Sequence, residues 1–230
     1  MYNDNYGVSD RDVGLSSYVS RVFGWMFIGL LVTAFFAFSV AGTDFGRSLA
    51  RSGIMYLLII VELGLVVAFS FLINKINSIT ATMMFLAYSA INGITLSVIF
   101  FVYSPAIIFK AFAVSAAVFG VMAAYGYFSK TDLTHVGSLF IMGVVGIIIA
   151  SLINMFFRSS MLDLIISYVT VFIFSGLVAY DAQKIKSYYE MGGQYGNDEL
   201  LKKGAIVSAL ALYLDFINIF LALLRIFDRD

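Results

Sequence analysis

Seven apolar stretches of about 20 residues each follow one another along this chain, and each is long enough to cross a bilayer as a helix. They run over Val22–Val40, Gly53–Ile73, Ala81–Tyr103, Ala106–Phe128, Val136–Phe156, Leu162–Tyr180 and Ala205–Phe227. Short polar punctuations separate them: Gly42-Thr43-Asp44, Asn74-Lys75, Ser104-Pro105, Ser129-Lys130-Thr131-Asp132 and Arg158-Ser159-Ser160. Backbone groups in lipid must bond within their own segment, so the spacing predicts helices rather than barrel strands. The expected fold is all-α, a polytopic seven-helix membrane bundle. Its domains are a polar N-terminal tail, Met1–Arg21, and one transmembrane domain, residues 22–230. Pro105, the only proline, stands where a fourth helix would begin, its favoured place. Asp181–Lys203, with Gly192-Gly193 and Gly196, reads as the longest loop.

Composition excludes several classes of function. Only 12% of residues are charged and the mean hydropathy is +0.96, against about 25% charged residues in a soluble domain. Acids and bases balance at 14 each, so no basic field invites nucleic acid. The chain has no cysteine and a single histidine, His135, which removes disulfides, thiol catalysis, cysteine-held metals and any histidine cluster. His135 reads as a loop residue. The first apolar run is longer than a signal core and follows about 20 polar residues, so it reads as a retained anchor. With the N-terminus inside, the inner segments carry eight basic residues and the outer ones six, a small bias toward a cytoplasmic N-terminus.

Ionisable groups inside a membrane are costly and mark function by default. Asp215 lies deep in the last span, on a stripe with Gly204, Ser208, Ala211, Asn218 and Ala222 that is small and polar while the rest of the helix is Leu, Ile and Phe. Such a stripe suits a helix interface or a water-filled path. Asp181 ends the sixth span, where it faces a partner helix or is solvated near Lys184. Glu62 sits mid-span among apolar neighbours and needs a partner on another helix or a proton; Asn92, with Tyr88 and Thr95 on its face of the third span, can be that partner. Lys110 is about a turn into its helix and can snorkel. The sixth and seventh spans are consecutive, which can bring Asp181 and Asp215 together. Two carboxyls within hydrogen-bond reach share a proton and titrate as a unit. Deprotonated, they offer oxygen ligands to a hard cation such as calcium, held transiently. The residues leave the choice between proton and cation open.

Four motifs carry a resemblance that covers nearly the whole chain: Glu62-Leu63; Asn92-Gly93-Ile94-Thr95-Leu96-Ser97; Tyr180-Asp181-x-Gln183-x-Ile185-Lys186; and Ala211-Leu212-x-Leu214-Asp215-Phe216-Ile217-Asn218-x-Phe220. In these the chain resembles the transmembrane Bax inhibitor motif family, also called the Bax inhibitor-1 family, in its bacterial branch. The resemblance implies a seven-helix bundle with the C-terminal helix central. It implies a pH-sensitive calcium leak channel of the inner (cytoplasmic) membrane, gated by a proton-sharing aspartate pair that Asp181 and Asp215 match. Glu62, Asn92, Ser208 and Asn218 are the ion-pathway candidates. A basic latch at the end of the second helix is described in one branch; here the only basic residue in that region is Lys75, which does not fall cleanly on the latch position. The expected partners are the lipid bilayer and the calcium ion, with no cofactor and no nucleic acid.

Two rival classes stand against this reading. An intramembrane aspartyl protease also needs two carboxyls, but that family sets its second aspartate in Gly-x-Gly-Asp and follows it with Pro-Ala-Leu. Here Leu212-Tyr213-Leu214 precedes Asp215 and no proline follows Pro105, so no enzyme is expected. The alternative is a regulatory protein that modulates a membrane-bound protease, as some bacterial relatives are described as doing, with Met1–Arg21 the natural contact. No inverted repeat or broken helix of a secondary transporter is evident.

Overall fold

In the computed structural model, residues 5–51, 54–194 and 198–229 are described, and side chains are described outside 5–13, 54–56, 59 and 193–194. Every regular element among them is helical. In chain order they are α1 (Asn5–Ala41), α2 (Asp44–Arg51), α3 (Ile54–Leu72), α4 (Ser78–Leu96), α5 (Ile99–Val102), α6 (Pro105–Phe128), α7 (Thr134–Phe157), α8 (Ser160–Gln194) and α9 (Asp198–Phe227). Pro105 opens α6 behind Ser104, whose hydroxyl accepts from the Ile107 N–H and completes the cap.

Six spans, not seven, are long and apolar enough among the described residues to cross a membrane: Gly14–Ala41, Ser78–Val102, Pro105–Phe128, Thr134–Phe157, Ser160–Gly192 and Asp198–Phe227. The expected second span falls on α3, within which Ile60–Leu72 is the apolar stretch among the described residues. All 19 residues of α3 rise roughly 28 Å, just under the roughly 30 Å hydrocarbon core.

Of the loop expected over Asp181–Lys203, residues 181–194 and 198–203 are helical. α8 continues to Gln194 and α9 begins at Asp198. Charges at Lys184, Lys186 and Glu190 end the apolar run without ending the helix, because Ala182 and Ile185 keep one face of it buried, at 1% and 0% exposure. The same holds at the other end, where α1 starts at Asn5 and so takes in most of the polar segment Met1–Arg21.

The chain divides into two compact units. The first comprises residues 1–101 and 185–210. In it α1 packs on α4 and α3 on α4. Thr33 donates its hydroxyl to the Ser89 carbonyl at 2.9 Å, and a Cβ at Gly93 would come 2.5 Å from the Thr33 carbonyl oxygen. Small residues here let two backbones close up, as helix pairs in lipid require.

The second unit comprises residues 102–184 and 211–230. α6 and α8 approach so closely that a Cβ at Gly126 would run into the Ala179 backbone. Phe216 of α9 lies between Phe112 and Phe119 of α6, both edge-on, with ring centroids at 5.6 and 5.8 Å. The helices differ sharply in burial. The apolar window of α9 is 72% buried and that of α7 only 6%, so α9 is a core element and α7 presents its sides to lipid.

Overpacking of a close helix contact costs about 1–3 kcal/mol. Gly93→Ala and Gly126→Ala are each expected to lower the thermal midpoint in detergent. Gly120→Ala, which meets nothing within 4 Å, is expected to leave it unchanged or higher.

Candidate functional site

The turn Tyr180-Asp181-Ala182-Gln183 of α8 is fixed from three directions within the second unit. The ring of Tyr180 covers Gly137 of α7 so closely that no Cβ fits there. The Gln183 side-chain oxygen accepts from the Leu133 N–H at 2.8 Å, and its amide donates to the Thr131 carbonyl at 2.8 Å, which ties the α6–α7 connection to α8. Asp181 points to α9, where its carboxyl comes within hydrogen-bonding reach of the Asp215 carboxyl. These contacts leave α8 little freedom to rotate about its axis, so the direction of Asp181 is set by its neighbours.

The two acids differ in setting. Asp215 is 4% exposed, and its Oδ2 has no hydrogen-bond partner among the described residues. Asp181 is half-buried, with Lys184 a turn away as the nearest countercharge. The Lys184 ammonium also stands 5.5 Å from the centre of the Tyr180 ring. Two carboxyls that face each other hold together only if a proton lies between them or a cation joins them. Among the described residues no three His, Cys, Asp or Glu side chains converge. A calcium ion takes six to eight oxygens, and two carboxylates suit only a passing contact.

A second buried acid lies in the first unit. Glu62 of α3 is 9% exposed. It accepts from Thr95 Oγ1 at 2.6 Å and from Asn92 Nδ2 at 3.2 Å, both on α4. Asn92 and Thr95 are themselves 6% exposed, so the contact is a closed polar cluster that joins two helices through side chains. Leaving one member of such a cluster unpaired is costly.

The remaining candidates are scattered. Asn218 donates to the Leu214 carbonyl of its own helix at 2.8 Å and is half-buried. Ser208 is 4% exposed, and its Oγ has no partner among the described residues. Lys75 is exposed in the α3–α4 connection. Lys110 places its ammonium 4.1 Å from the centre of the Phe227 ring, a cation–π contact that anchors it. His135 is exposed in the first turn of α7, beside Asp132. The Thr134 hydroxyl and N–H hold the Asp132 carboxyl below the usual carboxylate range.

Sequence reasoning gave no role to Tyr180, Gln183, Glu199 or Lys203. Gln183 carried a signal of a kind, as a polar residue two positions from Asp181 in the same motif. Glu199 and Lys203 fell within the stretch expected to be the longest loop.

Comparison with known proteins places this architecture. The family model described as "Inhibitor of apoptosis-promoting Bax1" matches residues 15–230. The chain is 44% identical over 220 residues to the inner membrane protein YbhL of Escherichia coli (strain K12), a match that covers 94% of this chain and 93% of that one. It is 47% identical over 212 residues to an uncharacterized protein of Borreliella burgdorferi, covering 91% and 90%. With an uncharacterized membrane protein of Streptococcus pyogenes serotype M1 it shares 38% identity over 234 residues, 99% of each chain. A polytopic helical protein that meets the lipid bilayer along most of its length, this chain belongs to the Bax inhibitor-1 family.

Proposed function

We propose that the protein is a pH-sensitive, calcium-permeable leak of the inner membrane, gated by the Asp181–Asp215 pair. The observation that carries this reading is the meeting of two carboxyls at a buried position, one of whose oxygens has no hydrogen-bond partner among the described residues. With a proton between them the two acids attract and α8 is held to α9. When that proton leaves, two adjacent carboxylates repel unless a cation takes its place. A hard divalent cation matches the all-oxygen chemistry of the site. Protons and calcium therefore compete for the same oxygen atoms.

The topology that goes with this reading has α3 as a seventh crossing, the N-terminus in the cytoplasm and the C-terminus outside, with α9 central. Inner-membrane location is supported by the name of the Escherichia coli relative. Glu62 serves as a second acid of the path, held by Asn92 and Thr95. Ser208 and Asn218, on the same helix as Asp215, are polar positions along it. The chain performs no covalent chemistry in this scheme, and calcium is cargo rather than cofactor.

Flux of calcium into proteoliposomes, followed with an entrapped indicator across a pH series, tests the proposal. The parent is expected to show a flux that changes with pH over one transition. Asp215→Asn and Asp181→Asn are each expected to flatten that profile, because an amide facing one carboxyl no longer shares an exchangeable proton. Equal flux in empty and protein-containing vesicles would end the proposal.

Glu62 makes a separate prediction. Glu62→Gln keeps an acceptor for Thr95 and is expected to retain the fold while lowering calcium flux. Glu62→Leu strands the buried Asn92 amide and Thr95 hydroxyl and is expected to cost about 1–3 kcal/mol of stability, measured by thermal unfolding in detergent.

A further inference from the structure

Asp181 has a cation of its own helix beside it. Lys184 stands three residues after Asp181 and four after Tyr180 on α8, spacings that make neighbours on a helix surface. Like Asp181 it is half-buried, and it is the nearest countercharge of that carboxyl. Its ammonium stands over the Tyr180 ring, 5.5 Å from the centre, inside the roughly 6 Å reach of a cation–π contact. That ring is held in place, because it seats on Gly137 of α7 where no Cβ fits. The flexible lysine stem therefore has two perches within a turn of each other, the face of a fixed aromatic ring and the oxygen atoms of Asp181.

Few other charges surround the pair. From α9 the Asp215 carboxyl meets Asp181. The α6–α7 connection and the first turn of α7 meet α8 through Gln183, and their ionisable groups, Lys130, Asp132 and His135, are all exposed. α6 meets α8 at Gly126, and its one charged residue, Lys110, lies near its opposite end. An ammonium tethered to α8 is present at Asp181 at high effective concentration, whatever the solution holds. A divalent ion that comes to the pair meets a like charge there and must drive it off.

We propose that Lys184 is a tethered competitor for the Asp181 oxygens: it occupies them when neither a proton nor calcium does, and calcium gains the pair only by displacing it. The Tyr180 ring is the place to which the displaced ammonium returns. Lys184 then sets how much calcium the site needs, and a neutral residue there would leave Asp181 to the cations of the solution. The role given to Lys184 rests on the reading of the pair as a calcium site, and binding at that pair can be measured apart from passage through the membrane.

The protein with isotope-labelled aspartate carboxyls, held in lipid nanodiscs at mildly alkaline pH, is titrated with calcium and read by infrared through the labelled carboxylate stretch. The calcium-dependent component that is missing in Asp181→Asn belongs to the pair. Lys184→Gln is expected to reach half-saturation of that component at a severalfold lower calcium concentration than the parent. Lys184→Arg, which keeps the charge, is expected to stay near the parent. Lys130→Gln removes an exposed charge from the α6–α7 connection and is expected to change nothing. A second measurement uses the parent alone. Acetylation by acetic anhydride, followed lysine by lysine with mass spectrometry, is expected to speed up severalfold at Lys184 when calcium is added, and not at Lys130.

An unchanged half-saturation in Lys184→Gln, a Lys184→Arg protein that follows Lys184→Gln, or acetylation of Lys184 that ignores calcium would overturn the competitor. So would the lack of any calcium-dependent component in both the parent and Lys184→Gln. Calcium flux into vesicles made from the same proteins keeps the two ideas apart. A lowered half-saturation in Lys184→Gln with no flux above that of empty vesicles leaves the competitor standing and removes the channel. A flux that is present while half-saturation is the same in parent, Lys184→Gln and Lys184→Arg does the reverse.

Discussion

A carboxylate in apolar surroundings must have a proton, a hydrogen-bond donor or a cation, and the three ways of meeting that need explain most of what is specific in this molecule. Glu62 uses donors: the Thr95 hydroxyl and the Asn92 amide reach it from a neighbouring helix. Glu199 uses the free N–H and hydroxyl of Ser78 at a helix start. Asp215 has neither in full, since one of its oxygens is buried without a hydrogen-bond partner among the described residues. What it has is a second acid. Among the described residues, the Asp181–Asp215 contact is a place where a proton or an ion can complete the pairing.

The rest of the second unit can be read as support for that contact. A carboxyl pair is useful as a switch only if its two members cannot drift apart or turn away. Gly126 lets α6 come against the Ala179 backbone of α8, and Gly137 lets the Tyr180 ring seat on α7. Gln183 then ties the α6–α7 connection to the same turn with two hydrogen bonds to backbone. Each of these is a close or directional contact, where a small displacement is costly. On the α9 side, Phe216 beside Asp215 is wedged between two aromatic rings of α6. The acids are thus carried on well-anchored turns.

Much of this was legible in the sequence, and the failures have one cause. Apolar length is a good ruler for lipid, and it located the long spans. It is a poor ruler for helices, because a helix does not stop where the lipid does. Hence α8 runs past Lys184 and Glu190, and α1 begins well before Val22. The partnership of Glu62 with Asn92 and Thr95 could be seen because three residues at helical spacing on one face are a pattern. The hydrogen bonds of Glu199 to Ser78 and of Lys203 to the Ile73 and Ile76 carbonyls could not, because their other half is largely backbone, and backbone groups at helix ends carry no residue signature. The small-and-polar stripe of α9 was legible but less telling than it looked. α9 is buried nearly all round, and Asn218 falls on its more open side.

The central claim is that Asp181 and Asp215 hold one exchangeable proton in common. Isotope-edited infrared titration of the protein in lipid, with aspartate carboxyls labelled, reads that proton through the carbonyl stretch of a protonated acid. The account predicts a labelled protonated-acid band that titrates in the parent and is lost or displaced when either residue alone is changed to asparagine. A band that persists unchanged in Asp181→Asn, with Asp215 titrating as though its neighbour were still there, would contradict it.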